Sequence, residues 1–373
     1  MRRYTNTVPK QAKIGVIGAG KSGYCSIKEL LSQNYYHADF LYVDTDRPLI
    51  EQSKSDVNQL VDRIWLADQQ NPSKITPNGT NGDFRSGEHA TFRTMQRIKA
   101  AIRNFDMLFL FGGMGGGTAT AALPVIAQAA AELDIMTVAI VTSPFGFEGT
   151  NRHKIAQIGI NRLNSLTDTL IVLHGDELLA KVDNRVELSE AWSEANELRH
   201  NCISIVEELT QYPGIINIDF ADIRAVIEGN GSALMTMGVG IGENKVEEAI
   251  ADALNCKTLN RSATGAGQVL MHIVTPPDAD LFEVHDIADG ITQSIGEQAY
   301  IHFGVSEDNC LFDEVRVFLI ATSFCEITQM AQQYSEPIKT VVSQSRERQT
   351  LADHFWSLAK DQMSGYGRWR DQQ

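Results

Sequence analysis

Two short stretches of the chain offer chemistry with almost no side chains. Residues 18–23 read GAGKSG, and residues 111–125 read FGGMGGGTATAALPV, with five glycines between positions 112 and 117. Glycine lets a backbone come close to an oxyanion, and successive N–H groups free of Cβ can turn inward as a nest for it. Each stretch runs from an apolar strand pattern into a helical one. Each therefore adds the unpaired N–H groups and partial positive charge of a helix N-terminus. Gly18, Gly20 and Gly23 satisfy GxGxxG, and Asp44 ends the next strand pattern about 20 residues on, which is the dinucleotide fingerprint. A plain tight turn between strand and helix fits the same glycines. Gly15–Ser22 also satisfies GxxxxGK[ST], but its first glycine falls inside the strand rather than opening the loop after it, so that match is set aside. A nicotinamide-binding domain has no use for a second glycine turn, whereas a triphosphate does. In that second turn Gly113, Gly115, Gly116 and Gly117 face phosphate, and Thr118 or Thr120 caps the helix or touches phosphate. Pro124 is expected in the first helical turn, where its missing N–H costs nothing.

These turns need strands before them and helices behind them. Residues 13–17 (KIGVI), 39–46 (DFLYVDTD), 106–111 (DMLFLF), 135–142 (IMTVAIVT) and 168–173 (DTLIVL) read as strands. Helices are expected over 26–32, 88–104 and from Thr118 or Thr120 to about Leu133. Alternation of such apolar strands with helices indicates a parallel sheet covered on both faces. Residues 67–87, rich in Asn, Pro, Gly and Ser, read as a long loop. A long helix is expected over 188–211, broken at Tyr212-Pro213-Gly214. A second block follows, with a helix over 220–229 and strands over 267–275, 298–305 and 313–322.

The 373 residues suit two domains. A formal net charge of −15 argues against binding to a nucleic-acid backbone. Cys25, Cys202, Cys256, Cys310 and Cys325 are scattered with no CxxC pair, which argues against a zinc site or a disulfide framework. The basic start MRRYTNTVPKQAK lacks the apolar core of a signal peptide, and no run of about 18 apolar residues exists to span a membrane. The expectation is a cytoplasmic, reducing-compartment protein.

Residues 112–125, GGMGGGTATAALPV, resemble the tubulin signature as it occurs in FtsZ, the bacterial tubulin-like division GTPase, where the consensus is GMGGGTGTGAAPV. Ala119 and Ala121 stand where the family has glycines. If both are helical, alanine favours the helix by up to about 1 kcal/mol each; if either needs positive φ, alanine costs about 1–2 kcal/mol. The helical alternative is preferred. The resemblance covers roughly residues 13–322 and implies a tubulin/FtsZ-like α/β fold. It divides the chain into a lead-in (1–12), a GTP-binding domain (13–187), a central helix (188–211), a smaller α/β second domain (212–322) and a tail (323–373). It places Gly18, Gly20, Lys21, Ser22, Gly23, Tyr24, Cys25 and Asp44 in the first nucleotide loops, and Gly113, Met114, Gly115, Gly116, Gly117, Thr118 and Ala119 in the phosphate loop. TSPFGFEGTNRHK (142–154) is similar to the family's TKPFxFEGxxR, which puts Glu148 and Arg152 at the ribose and nucleotide. EAWSEANELR (190–199) resembles the start of the family's central helix, with Trp192 packing on guanine and Asn196 bonding the base edge. Positions 192 and 196 do share a helix face. Taken alone, Trp192 reads equally well as a core aromatic.

PGIINIDFADIRAVI (213–227) resembles the family's catalytic loop, NxDFADxxxxM. The resemblance implies that Asn217, Asp219 and Asp222 act on the nucleotide of the next subunit in a head-to-tail homopolymer, with Mg²⁺ on the phosphates of GTP or GDP and no metal held by side chains alone. From the residues themselves, Asp219 and Asp222 share a face at i and i+3. They could polarise a water and hold a cation, or simply cap a helix while facing solvent. The chain departs from the family pattern at Lys21, a further charge for phosphate; at Cys25, where Asn is usual; at Asp44, an acid in place of Asn; and at Gly175. It ends in GYGRWRDQQ without the acidic-apolar peptide that binds membrane adaptors. That suits a divergent paralogue more than a housekeeping division protein. In the tail, Leu351, Phe355, Leu358, Ala359 and Met363 recur at helical spacing. That helix docks on the body, meets a membrane or adaptor partner, or stays disordered. The functional expectation is a cytoskeletal GTPase that polymerises. The alternatives are a nucleotide-binding scaffold with little turnover and a Rossmann oxidoreductase, which leaves the second glycine turn unexplained.

Overall fold

In the computed structural model, residues 12–33, 38–56, 61–67, 79–180, 188–211, 214–228, 231–256, 261–296 and 298–324 are described. The lead-in, most of the expected loop over 67–87, the Tyr212-Pro213 break and the whole tail helix lie outside them. The elements run β1 (Ile14–Ala19), α1 (Gly20–Ser32), β2 (Asp39–Asp44), α2 (Arg47–Asp56), β3 (Val61–Trp65), α3 (Phe84–Ile102), β4 (Met107–Gly113), α4 (Ala119–Ala131), β5 (Met136–Thr142), α5 (Thr150–Leu166), β6 (Thr169–Leu173), α6 (Gly175–Ala180) and α7 (Leu188–Gln211). They continue with α8 (Phe220–Ile227), β7 (Leu234–Ile241), α9 (Lys245–Leu254), the two-residue strands β8 (Asn255–Cys256) and β9 (Arg261–Ser262), β10 (Gln268–Thr275), α10 (Leu281–Ile295), β11 (Tyr300–Glu307) and β12 (Glu314–Thr322).

The first six strands form one parallel sheet in the order β3-β2-β1-β4-β5-β6. Its central strands are apolar at every position because both faces are covered, yet successive residues still part to opposite sides. Val16, Phe109, Phe111 and Ile140 join one core with Ile27 and Leu30 of α1 and Leu198 and Ile203 of α7. Ile17, Leu108, Leu110 and Val141 join a second core with Ile98 of α3 and Ala122 and Ile126 of α4. The first of these cores continues without a break into a four-stranded mixed sheet, β11-β10-β12-β7, through Met235, Leu270 and Leu319. The parallel pair β10–β11 and the antiparallel pairs β10–β12 and β12–β7 build that sheet.

Four local expectations change. Helix α1 starts at Gly20, six residues before the expected position, so the glycine turn runs directly into the helix. Helix α3 starts at Phe84, four residues before the expected position, because Asp83 caps it by accepting from the Arg85 N–H at 3.0 Å. Pro124 is not in the first turn of α4: with Ala119 as the first helical residue, Pro124 is the sixth and cannot donate to the Thr120 carbonyl. Helices α2, α5, α6, α9 and α10 and strands β3, β7, β8 and β9 had no counterpart in the sequence pattern.

Candidate functional site

Strand order reverses between β1 and β4, so the loops leaving their C-terminal ends diverge and open a crevice, the place where open α/β sheets bind ligands. Both glycine turns lie there. A Cβ on Gly20, at φ +69°, would sit 3.6 Å from the backbone N of Ala119 and the Cβ of Thr118, so the two turns face each other. Gly18 and Gly23 serve packing: a Cβ on Gly18 would meet the Gly23 carbonyl oxygen at 2.5 Å. In the second turn Gly115, at φ +96°, leaves no room between Pro144 and Arg152, and Gly117 none beside Thr80. Gly116 differs. Its φ is ordinary and nothing lies within 4 Å of where its Cβ would be. The fold makes no demand for glycine there.

Neither helix takes a side-chain cap at this crevice, so the leading N–H groups of α1 and α4 have no capping side chain. The Thr118 hydroxyl turns instead to Thr45, at 2.7 Å, and toward Asp44, at 3.4 Å. The Thr120 hydroxyl accepts from the Gly115 N–H at 2.9 Å and holds the turn's shape. Ala119 and Ala121 are buried and helical, with no positive φ. Asp44 is buried, and burial pushes its carboxyl above the ordinary carboxylate range, against the lowering effect of the Tyr42 hydroxyl at 2.6 Å and the Asp46 N–H at 3.0 Å. Lys21 and Cys25 are exposed on α1, Tyr24 is half-buried, and Ser22 packs against Gly113. Met114 is buried beneath the turn. Among the described residues, no group of three or more His, Cys, Asp or Glu side chains gathers to hold a metal ion.

Glu148 and Arg152 form an ion pair at 2.7 Å beside the second turn, and Glu148 also accepts from the Phe145 N–H. Trp192 lies on α7, and its side chain is outside the description. Asn196 is buried rather than open. Its Oδ1 accepts from Arg199 Nη1 at 2.7 Å and lies 2.9 Å from Ser26 Oγ, while its Nδ2 donates to Glu29. A guanidinium can only donate, which fixes the amide with its oxygen inward. Arg199 is itself fully buried over the Phe111 ring, and burial lowers its pKa to about 10. Ser26, Glu29 and Arg199 escaped the sequence reading, since nothing local marks residues that meet across 170 positions.

Asn217, Asp219 and Asp222 are elsewhere. Asp219 caps α8, accepting from the N–H groups of Ala221 and Asp222, and Asp222 returns the contact to the Asp219 N–H at 3.0 Å. Asn217 is exposed and accepts from the Gly214 N–H. Arg224 of α8 pairs with Asp134, just past the C-terminal end of α4, whereas the glycine turn is at the N-terminal end. A 13-residue helix separates the two ends by roughly 20 Å. Two groups of expected site residues are thus held at opposite ends of one helix.

A model of the GTPase domain of the Tubulin/FtsZ family matches residues 13–183, and a model of the C-terminal domain of the FtsZ family matches residues 231–325. The solved FtsZ dimer of M. jannaschii, described as empty, is 33% identical over 85% of this chain and 89% of that one, with a TM-score of 0.71. This chain belongs to the tubulin/FtsZ family. It shares the fold at greater distance with CetZ2 from Haloferax volcanii, solved as a GTPγS-bound protofilament: 16% identity, 91% and 99% of the two chains, TM-score 0.66. CetZ from Methanosaeta thermophila is similar at 16% identity over 97% and 100% of the two chains, with a TM-score of 0.65. The tubulin/FtsZ assignment makes the chain a member of a guanine-nucleotide-binding cytoskeletal GTPase family. No helix among the described residues is long and apolar enough to cross a membrane.

Proposed function

We propose that this chain binds GTP in the crevice between its two glycine turns, assembles head to tail in the cytoplasm, and hydrolyses GTP only where a neighbour's catalytic loop closes the crevice. The observation that carries the reading is Gly116, unstrained and unobstructed between two uncapped helix N-termini. The N–H groups of Gly20–Gly23 and Gly115–Ala119 would hold the phosphates, with Lys21 adding charge and Glu148 and Arg152 at the nucleotide's flank. Mg²⁺, when present, would neutralise phosphate charge from positions on the phosphates and water. With its oxygen inward and one Nδ2 hydrogen on Glu29, Asn196 has one N–H left, which would suit the O6 acceptor of guanine and not the amino donor of adenine.

The separation of Asp219 and Asp222 from the glycine turns by the length of α4 supports catalysis between subunits, because neither carboxylate reaches its own chain's crevice. The loop that bears them also shows Ile215 at 68% and Ile216 at 46% exposure, apolar surface suited to burial against a partner. In a junction Asn217, Asp219 and Asp222 would orient water at the neighbour's phosphate. A second reading, an assembling scaffold with slow turnover, draws on the capping box, which already gives both carboxylates a structural task. Calorimetry with GTP and ATP, and phosphate release measured beside pelleting, separate these readings. GTP is expected to bind tighter than ATP, and ATP tighter than GTP would sink the reading. Polymer that forms without releasing phosphate would favour the scaffold.

A further inference from the structure

The catalytic loop is seated on one strand, β11, at three points: Val305, Gly304 and His302. Ile216 exchanges backbone hydrogen bonds with Val305, at 3.2 and 3.0 Å. Ile218 is buried against Gly304, where a Cβ would come 2.6 Å from its Cδ1 and 2.6 Å from Nδ1 of His272. Two residues back along the strand, on the same face, His302 points at the loop's second carboxylate: its Nδ1 lies 3.3 Å from Asp222 Oδ1. The other oxygen of Asp222 is already taken by the Asp219 N–H at 3.0 Å. The carboxylate therefore has a backbone donor of its own loop on one oxygen and an imidazole nitrogen within ion-pair distance of the other. The Tyr300 ring packs edge-on against His302, with centroids 5.0 Å apart, and narrows the ring's freedom.

We infer that His302 is a positioning residue for hydrolysis: it donates from Nδ1 to Asp222 and fixes the orientation in which that carboxylate is presented to the neighbouring subunit's nucleotide. The inference rests on the proposed role of Asp222 and adds a residue outside the loop. Without His302 the capping box still forms, since its two bonds do not involve the imidazole. The loop would fold while the carboxylate swings about its single remaining contact. The defect belongs in turnover, not in nucleotide binding or assembly.

The test uses the full chain and GTP with Mg²⁺, and compares His302→Val, His302→Asn and Asp222→Ala. Valine keeps strand propensity and removes the donor. Asparagine places an amide N–H close to where Nδ1 stands. Phosphate release per pelleted polymer is expected to fall about tenfold in His302→Val, the scale of one charge-assisted hydrogen bond, with GTP affinity and pelleted fraction unchanged. His302→Asn is expected to recover most of the loss, a rescue that a purely structural defect would not show. If the valine variant fails to fold, His302→Gln, with its donor one carbon further out, takes its place and is expected to be slow. Parental turnover in His302→Val beside a slow Asp222→Ala overturns this inference and leaves the proposed function standing. Parental turnover in Asp222→Ala removes the proposed role of the loop, and the inference with it. A lost pellet in both His302 variants would assign His302 to assembly and overturn the positioning role.

Discussion

Gly116 and Gly117 are neighbours with opposite reasons for lacking a side chain. A Cβ on Gly117 would lie 2.1 Å from Thr80 Oγ1, while one on Gly116 would meet nothing. Gly117→Ala is therefore expected to destabilise the fold by about 1–3 kcal/mol through overpacking, read as a lower melting temperature. Gly116→Asp is expected to leave the melting temperature unchanged and abolish GTP binding, because its carboxylate enters the phosphate cradle. Unaltered GTP affinity in Gly116→Asp would reduce Gly113–Gly117 to a structural turn. The two glycine turns were legible in the sequence, since a cluster of glycines after an apolar strand is a local pattern. The alanines at 119 and 121 were legible too, because an unstrained helical position and a glycine-only position carry opposite propensities. The partners of Asn196 and Asp222 were not. Ser26, Arg199 and His302 have ordinary local surroundings, and only the fold brings them to the residues they hold.

At the scale of elements, β4, β5, β6, β10 and β12 were read within about two residues because their apolar runs are continuous. Strand β3, VDRIW, is short and charged, and α5, TNRHKIAQIGINRLNSL, buries only Ala156, Gly159 and Leu163, so neither gives a clear period. Two elements carry predictions of their own. Asp219 caps α8 through its side-chain oxygen, and asparagine caps as well as aspartate. Asp219→Ala is expected to cost about 1 kcal/mol of stability and Asp219→Asn a few tenths at most, measured by denaturant unfolding. Slow turnover in the stable Asn variant would separate the carboxylate's proposed chemistry from its capping. On β10, burial lowers the His272 pKa to about 4 from the ordinary 6.5, with Nε2 bonded to Ser306 Oγ at 2.9 Å. Between pH 6.5 and 4 the unfolded chain holds a proton at this site that the folded chain rejects. Stability contributed by His272 is thus full above pH 6.5 and is lost as the pH falls, by up to about 3 kcal/mol. Unfolding free energies of the parent should drop more steeply across that window than those of His272→Gln. Parallel slopes would show that His272 is not held neutral.

For the molecule as a whole, the decisive feature is that the glycine-turn crevice and the Asp219–Asp222 loop stand at opposite ends of α4. On the proposed function, a chain built this way would carry half an active site at each end. GTP turnover per molecule should then depend on how many junctions exist, rising steeply above a threshold protein concentration. Asp222→Ala should bind GTP, assemble and hydrolyse about 10²–10⁴-fold more slowly, the usual scale for losing a positioned acid–base group. Gly116→Asp keeps the loop and lacks the nucleotide. Phosphate release from a mixture of these two variants, followed across protein concentration, is the most direct test of a shared site. The prediction is partial recovery of turnover in the mixture, since one kind of junction joins an intact loop to a bound GTP. Turnover in the mixture no greater than the sum of the two variants alone, with parental activity per molecule flat across concentration, would contradict it.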